Sequence, residues 1–402
     1  MIDRQTAARL PPYVFAEVNR MKADARAAGR DIIDFGMGNP DLPPEDFIID
    51  KMCETARDPK AHRYSASSGI KGLKKAQARY YARRFGVELD WESEVVATMG
   101  SKEGFATLAH AITRPGDAVL VPTPSYPIHV FGFVLAGGRV KTMPSTPGDE
   151  LFRAAEAAMS GDGGRPVAMV VNYPGNPTAE VATRAFYEEA VRFARKHDLI
   201  LISDLAYAEI HFGDTPPSSV LEVPGARDVA VEFTSMSKTF SMPGWRMGFC
   251  VGNAKVLAAL SRMKSYLDYG TFTPIQVAAI AALDESERCA GRLRAIYRRR
   301  RDTLVEAFGR AGFAVPAPEA SMFAWAPIPA GYPGGSLGFA RDALSEAGVV
   351  FSPGIGFGDA GDGHVRIALV ENEHRIRQAA RQLGAWLAGV DRGDRATVAR
   401  VG

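Results

Sequence analysis

The chain has 402 residues, 46% of them hydrophobic and 23% charged, a composition that supports a large packed core and excludes wholesale disorder. Lys plus Arg number 48 against 46 for Asp plus Glu, a formal charge of +2, so no concentrated basic footprint marks a nucleic-acid binder. Three scattered cysteines, Cys53, Cys250 and Cys289, cannot build a disulfide framework and point to a reducing compartment. The opening MIDRQTAARLPPYVF lacks the apolar stretch of a signal peptide. No run approaches the ~20 apolar residues that span a bilayer. A soluble cytoplasmic protein with no membrane partner is expected.

In chain order, residues 1–45 read as an N-terminal segment that joins a C-terminal unit. Short apolar runs at 95–99, 118–122, 139–143, 167–172, 199–204, 229–235 and 246–252 then alternate with helical patterns such as 102–113, 183–197 and 254–264. Several runs are apolar almost throughout, as expected for parallel strands covered on both faces. The alternation predicts an α/β layer architecture over residues 46–285. Beyond that the pattern changes to a long Arg-rich helix near 287–311, short runs at 321–325, 349–352 and 364–369, and a last helix near 372–387. This predicts a smaller α+β unit over 286–402. The basic run 298–301 reads as a solvated helix face, because Glu285, Glu287, Asp302 and Glu306 dilute it. The string Gly354-Ile-Gly356-Phe-Gly358 lies outside a strand–turn–helix unit and reads as a structural loop.

Small and polar residues cluster just beyond the strand ends, where open α/β sheets bind ligands. The seven histidines show no metal-ligand spacing, so no metal is expected. The most informative stretch is 234–249, TSMSKTFSMPGWRMGF. Lys238 follows the hydroxyls of Ser235 and Ser237, and Arg246 lies eight residues on. A lysine in a turn is ordinarily solvated; set among hydroxyls and a second cation, it can be an amine nucleophile toward a carbonyl. The serines and the guanidinium suit a phosphate. Three further pieces accompany it: NYPGNPT, in which Asn176 sits between two prolines; Asp204-Leu-Ala-Tyr207 at the end of an apolar run; and Gly100-Ser-Lys-Glu-Gly104, a turn opening a helix. A carboxylate ending an apolar strand must find a cation or pay for its burial, and a helix start favours an anion.

This ordered set resembles the fold-type I pyridoxal-phosphate enzymes, specifically the class I/II aminotransferases, and spans nearly the whole chain. The resemblance implies a large domain with a seven-stranded, mostly parallel sheet, a smaller α+β domain, and pyridoxal 5′-phosphate as cofactor. It makes Lys238 the Schiff-base lysine and proton shuttle. Asp204 becomes the partner of the pyridine nitrogen, and Asn176 and Tyr207 the donors to the ring 3-oxygen. Ser101, the Lys102 backbone amide, Ser235, Ser237 and Arg246 become the phosphate ligands. Tyr126, in PTPSYP, becomes the ring-stacking aromatic. Tyr64 is similar to the family Tyr that reaches the neighbouring subunit's phosphate, which implies a homodimer with shared active sites. Gly38, in GMGNP, matches the glycine whose amide approaches the substrate carboxylate, and Arg366, in HVRIALV, the arginine that grips it. Tyr13 is assigned to a lid over the substrate, and Tyr269 and Thr271 to contacts from the second subunit.

The stretches LPPYVF, DIIDFGMGNPD, PSYPIH, VPGARDVAVEF and SPGIGFGD are most similar to the bacterial glutamate–pyruvate (alanine) aminotransferases. Small-molecule amino acids and 2-oxo acids are thus the expected partners. LL-diaminopimelate and aspartate aminotransferases share the same catalytic set, as do pyridoxal-phosphate β- and γ-lyases. A regulator built on this fold would need an added DNA-binding domain, for which the roughly 35 residues before Gly36 leave no room. No arginine for a distal carboxylate stands out in the sequence.

Overall fold

The structure is a computed structural model that describes residues 10–11 and 14–391. Its first eight strands are β1 (Ile33–Asp34), β2 (Val95–Thr98), β3 (Ala118–Thr123), β4 (Arg139–Pro144), β5 (Pro166–Asn172), β6 (Ile200–Asp204), β7 (Ala230–Ser235) and β8 (Gly248–Gly252). The remainder are β9 (Phe323–Pro327), β10 (Val349–Val350), β11 (Ser352–Pro353) and β12 (His364–Ala368).

A seven-stranded sheet runs in the spatial order β2-β8-β7-β6-β5-β3-β4. Only β8 is antiparallel to its neighbours, so the expected mostly parallel sheet is present. Its central strands are buried on both faces, β5 along nearly its whole length, because helices pack above and below. That double burial is why these strands read as continuous apolar runs. The parallel arrangement also brings the carboxyl ends of β2, β5, β6 and β7 to one edge, with Asn172 opposite Asp204 and Asp204 opposite Phe233.

The C-terminal part holds an antiparallel sheet, β11-β12-β9, and a parallel two-strand pairing of β1 with β10. The N-terminal segment is therefore tied into the C-terminal part across most of the chain. The core there is aromatic, with Phe35, Phe308, Phe313, Phe339 and Phe351 packed together. Helices Ser286–Arg310 and Glu373–Asp391 cover it.

Three details differ from the sequence expectations. The strand expected to begin at 246 begins at Gly248, because Arg246 adopts a left-handed conformation (φ 55°) after the turn Pro243–Trp245. The run 349–352 divides between two sheets, with Phe351 fully buried at the crossover. Within 298–301, Arg300 is not solvated: it is 5% exposed and faces inward. No helix among the described residues is long and apolar enough to cross a membrane.

Candidate active site

The sheet edge supplies the floor of a cavity of about 440 Å³. Asp204 ends β6 and is nearly buried. One carboxylate oxygen lies 2.9 Å from His129 Nε2, and the His129 Nδ1 lies 2.8 Å from Ser125 Oγ. The other oxygen accepts from the Ala206 amide at 3.3 Å. Asn172, ending β5, donates to the Asp204 carbonyl at 2.8 Å and accepts from the Asn176 amide at 3.0 Å. The Asn172 side chain thus folds the NYPGNPT turn back over the sheet, which places the Asn176 side chain in the cavity.

Lys238 stands on the next strand end. The Ser235 hydroxyl accepts from the Ser237 amide at 3.2 Å and caps the single turn Met236–Thr239. This turn aims the Lys238 amine inward, where it donates to the Gly38 carbonyl at 2.9 Å and lies 5.9 Å from the Tyr207 ring centroid. Burial, followed by the Arg366 and Arg246 charges, pulls its pKa down from 10.5 to about 8. Burial pushes the Tyr207 hydroxyl the opposite way, so it stays protonated as a donor.

At the end of β2, Gly100 (φ 86°) turns the chain into helix Ser101–Ile112. The first amides of such a helix lack intrahelical acceptors and favour an anion. Ser235, Ser237 and Arg246 face the same space. The Arg246 guanidinium is steadied by the Pro243 carbonyl at 2.8 Å. A side chain at Gly100 would collide with that guanidinium, and the left-handed backbone would be strained besides. Gly100→Ala is therefore expected to weaken cofactor affinity by about tenfold or more, the loss of one charge-assisted contact. A fluorescence titration of the cofactor-free protein would check this, and an unchanged Kd would remove Arg246 from the anion site.

The opposite wall carries Arg366, on β12 and 7% exposed. Its guanidinium lies 4.1 Å from the Phe323 ring centroid and 4.7 Å from that of Phe357. It donates to Asn176 Oδ1 at 2.9 Å and to Ser352 Oγ at 3.2 Å. Gly38 is wedged beside it: a Cβ there would lie 2.7 Å from the Phe323 ring.

The structure thus gathers Gly38, Ser101, Lys102, Tyr126, Asn176, Asp204, Tyr207, Ser235, Ser237, Lys238, Arg246 and Arg366 around one cavity. The set fits a phosphate-bearing cofactor: an anion cradle at one end, a carboxylate for a cationic ring nitrogen, an aromatic side chain, and an amine poised near neutrality. Tyr64 is not in its own chain's cavity; it is 84% exposed, with its ring 4.5 Å from that of Tyr269. Thr271 donates to the Arg246 carbonyl at 3.3 Å. Tyr13 lies outside the described residues.

Sequence reasoning missed His129, Ser352, Phe323, Phe357, Phe15 and Lys22, which touch Asp204 or Arg366 or line the cavity. His129 had a local signal, its four-residue spacing from Ser125 at a helix start. The loop 354–358 is structural as expected, yet it also delivers Phe357 to the cavity.

Comparison with known proteins agrees with this geometry. The family model "Aminotransferase class I and II" matches residues 30–383. AatC of Rhizobium meliloti (strain 1021) is 62% identical over 95% of this chain and 95% of its own. The glutamate-pyruvate aminotransferase AlaC of Escherichia coli (strain K12) is 50% identical over 94% and 92%. An LL-diaminopimelate aminotransferase of Syntrophobacter fumaroxidans is 43% identical over 93% and 96%. Among solved structures, apo-BacF from Bacillus subtilis superposes with a TM-score of 0.89 at 34% identity, covering 94% of this chain and 96% of that one. The chain belongs to the class I and II aminotransferases and has their fold-type I architecture.

Proposed function

We propose that this aminotransferase uses pyridoxal 5′-phosphate to move an amino group, in ping-pong fashion, between glutamate or 2-oxoglutarate and alanine or pyruvate. The observation that carries the cofactor reading is the buried Lys238 amine, its pKa lowered to about 8, in the same cavity as Asp204 and the Arg246 and Arg366 guanidinium groups. The substrate pair is supported by the 50% identity to AlaC. The LL-diaminopimelate relatives at 43% support a second reading, an amino acid with a longer side chain.

When bound, the cofactor supplies an aldehyde that takes the substrate's amino group and a cationic ring that accepts electron density from Cα. The chain's residues do the rest. Ser101, the Lys102 amide, Ser235, Ser237 and Arg246 hold the phosphate. Asp204, steadied by His129, holds the proton on the ring nitrogen. Asn176 and Tyr207 donate to the ring oxygen, and Tyr126 packs against the ring. Arg366 and the Gly38 amide would hold the α-carboxylate in the cavity that Lys238 also lines. The neutral Lys238 amine would be the group that takes up and returns the Cα proton.

The lowered pKa gives a direction for pH dependence. Only the neutral amine is nucleophilic, so its reactivity rises with pH and levels off above about 8 instead of 10.5. At pH 7 roughly a tenth of the amine is neutral, against about 0.03% for an ordinary lysine. Capture of an aldehyde by the cofactor-free protein should therefore have a midpoint near 8. A midpoint above 10 would show that the site does not activate the amine.

The proposal includes a homodimer in which Tyr64 completes the other subunit's phosphate site. Tyr64, Tyr266, Leu267, Tyr269 and Phe272 are all exposed on the single chain, with the Tyr64 and Tyr269 rings in contact, and grouped exposed apolar side chains mark interaction surfaces. It also includes domain boundaries near residues 45 and 285 and a cytoplasmic location; the three cysteines are unpaired. The deciding experiment is a panel of amino donors against pyruvate and 2-oxoglutarate, read as kcat/KM. Preference for LL-diaminopimelate over glutamate and alanine would replace the first substrate reading with the second. Elimination of ammonia in place of pyridoxamine formation would end both.

A further inference from the structure

We infer that Asp41 and Arg300 form a latch that positions the Gly38 loop for carboxylate binding. The inference rests on the proposed role of Gly38 and Arg366. The loop 36–41 crosses the cavity with no regular structure of its own. Its entry is fixed at Gly36, whose amide donates to Asp34 Oδ1 at 2.9 Å and whose carbonyl accepts from Ser352 Oγ at 2.6 Å. At its middle, Lys238 donates to the Gly38 carbonyl from the cavity side. That contact is lost as an anchor whenever Lys238 engages another group, so the loop needs a second fixed point beyond Gly38.

Arg300 provides it. Both terminal nitrogens donate to the Asp41 carboxylate, Nη1 to Oδ1 and Nη2 to Oδ2, each at 2.7 Å. The same Nη1 donates to the Leu369 carbonyl at 3.0 Å. Leu369 immediately follows β12, the strand that carries Arg366. One buried guanidinium therefore holds the end of the Gly38 loop and the end of the Arg366 strand against the same helix. A two-point grip fixes orientation as well as distance, and a lysine, a single flexible charge, cannot reproduce it. Asp41 and Arg300 are not among the residues that line the cavity. They are positioning residues, acting through Gly38.

The test uses the cofactor-loaded Asp41→Asn and Arg300→Lys enzymes. The concentration dependence of single-turnover half-reactions with glutamate and with alanine gives a Kd and a limiting rate. The pH dependence of the bound cofactor's visible absorbance reports the Lys238 environment independently. We expect Kd to rise about tenfold or more, with the limiting rate within about threefold of the original, as displacement of a binding group predicts. The midpoint of the absorbance titration should stay in place. A wild-type Kd in either variant that folds and takes up cofactor would overturn the inference. So would a Kd change that moves with the absorbance midpoint, which would mean general damage to the site. Failure of both variants to fold would also overturn it, by making the pair purely structural. Arg366→Lys is the reference: if it too leaves Kd unchanged, the carboxylate assignment itself fails; if it alone raises Kd, only the latch fails.

Discussion

Replacing Lys238 with alanine should abolish turnover and the covalently held visible chromophore while leaving the cofactor able to bind. The separation follows from the geometry. The residues proposed to hold the phosphate, Ser101, Ser235, Ser237 and Arg246, line the cavity without involving the amine. The amine is buried, and its pKa, at about 8, suits both attack on an aldehyde and proton transfer near neutrality. Losing both nucleophile and acid–base group should cost more than about 10⁴ in kcat. Dialysis against buffer, followed by absorbance and mass measurement, would show reversible cofactor binding without attachment. Residual turnover near wild type, or a cofactor still attached, would sink the assignment.

Asp204→Ala should give the second-largest effect. The carboxylate is nearly buried and tied to His129 and the Ala206 amide, so it is preorganised to hold a proton on a ring nitrogen. Removing a preorganised charge from a water-poor site typically costs about 10² to 10³ or more in rate. We expect Cα deprotonation to slow by at least that amount, and the isotope effect for Cα-deuterated substrate to grow as this step becomes limiting. Phosphate-directed binding of the cofactor should persist. The deletion also leaves the fully buried His129 without its carboxylate, which should lower stability by about 1–3 kcal/mol. Near-normal half-reaction rates would contradict the role given to Asp204.

Much of this was legible in the residues. The run expected at 118–122 is the strand Ala118–Thr123, and the run ending at 204 is the strand ending at Asp204. Both read clearly because strands buried on two faces are continuously apolar; a carboxylate within one needs its own partners, as the fully buried Glu232 of β7 has in Tyr81, Ser203 and Ser219. The double role of 349–352 was not legible. Both halves are buried, and nothing local says that one pairs with Ile33–Asp34 and the other with Arg366. The Ser125–His129 spacing hints at a helix-start pair, but it does not show that His129 reaches Asp204, 75 residues away in sequence. Arg300 was read as solvated because charge patterning along a helix cannot show that one of four basic residues points at Asp41.

The sequence by itself determined which chemical groups are present, in what order, and at which strand ends they stand. Local rules of burial and turn formation suffice for that. What only the tertiary structure decided is the state of those groups. Lys238 has its lowered pKa because the fold buries it and sets the Arg366 and Arg246 charges nearby. Its hydrogen bond reaches Gly38, 200 residues earlier in the chain. Desolvation and Coulomb forces depend on distance in space, and no spacing along the chain encodes that distance.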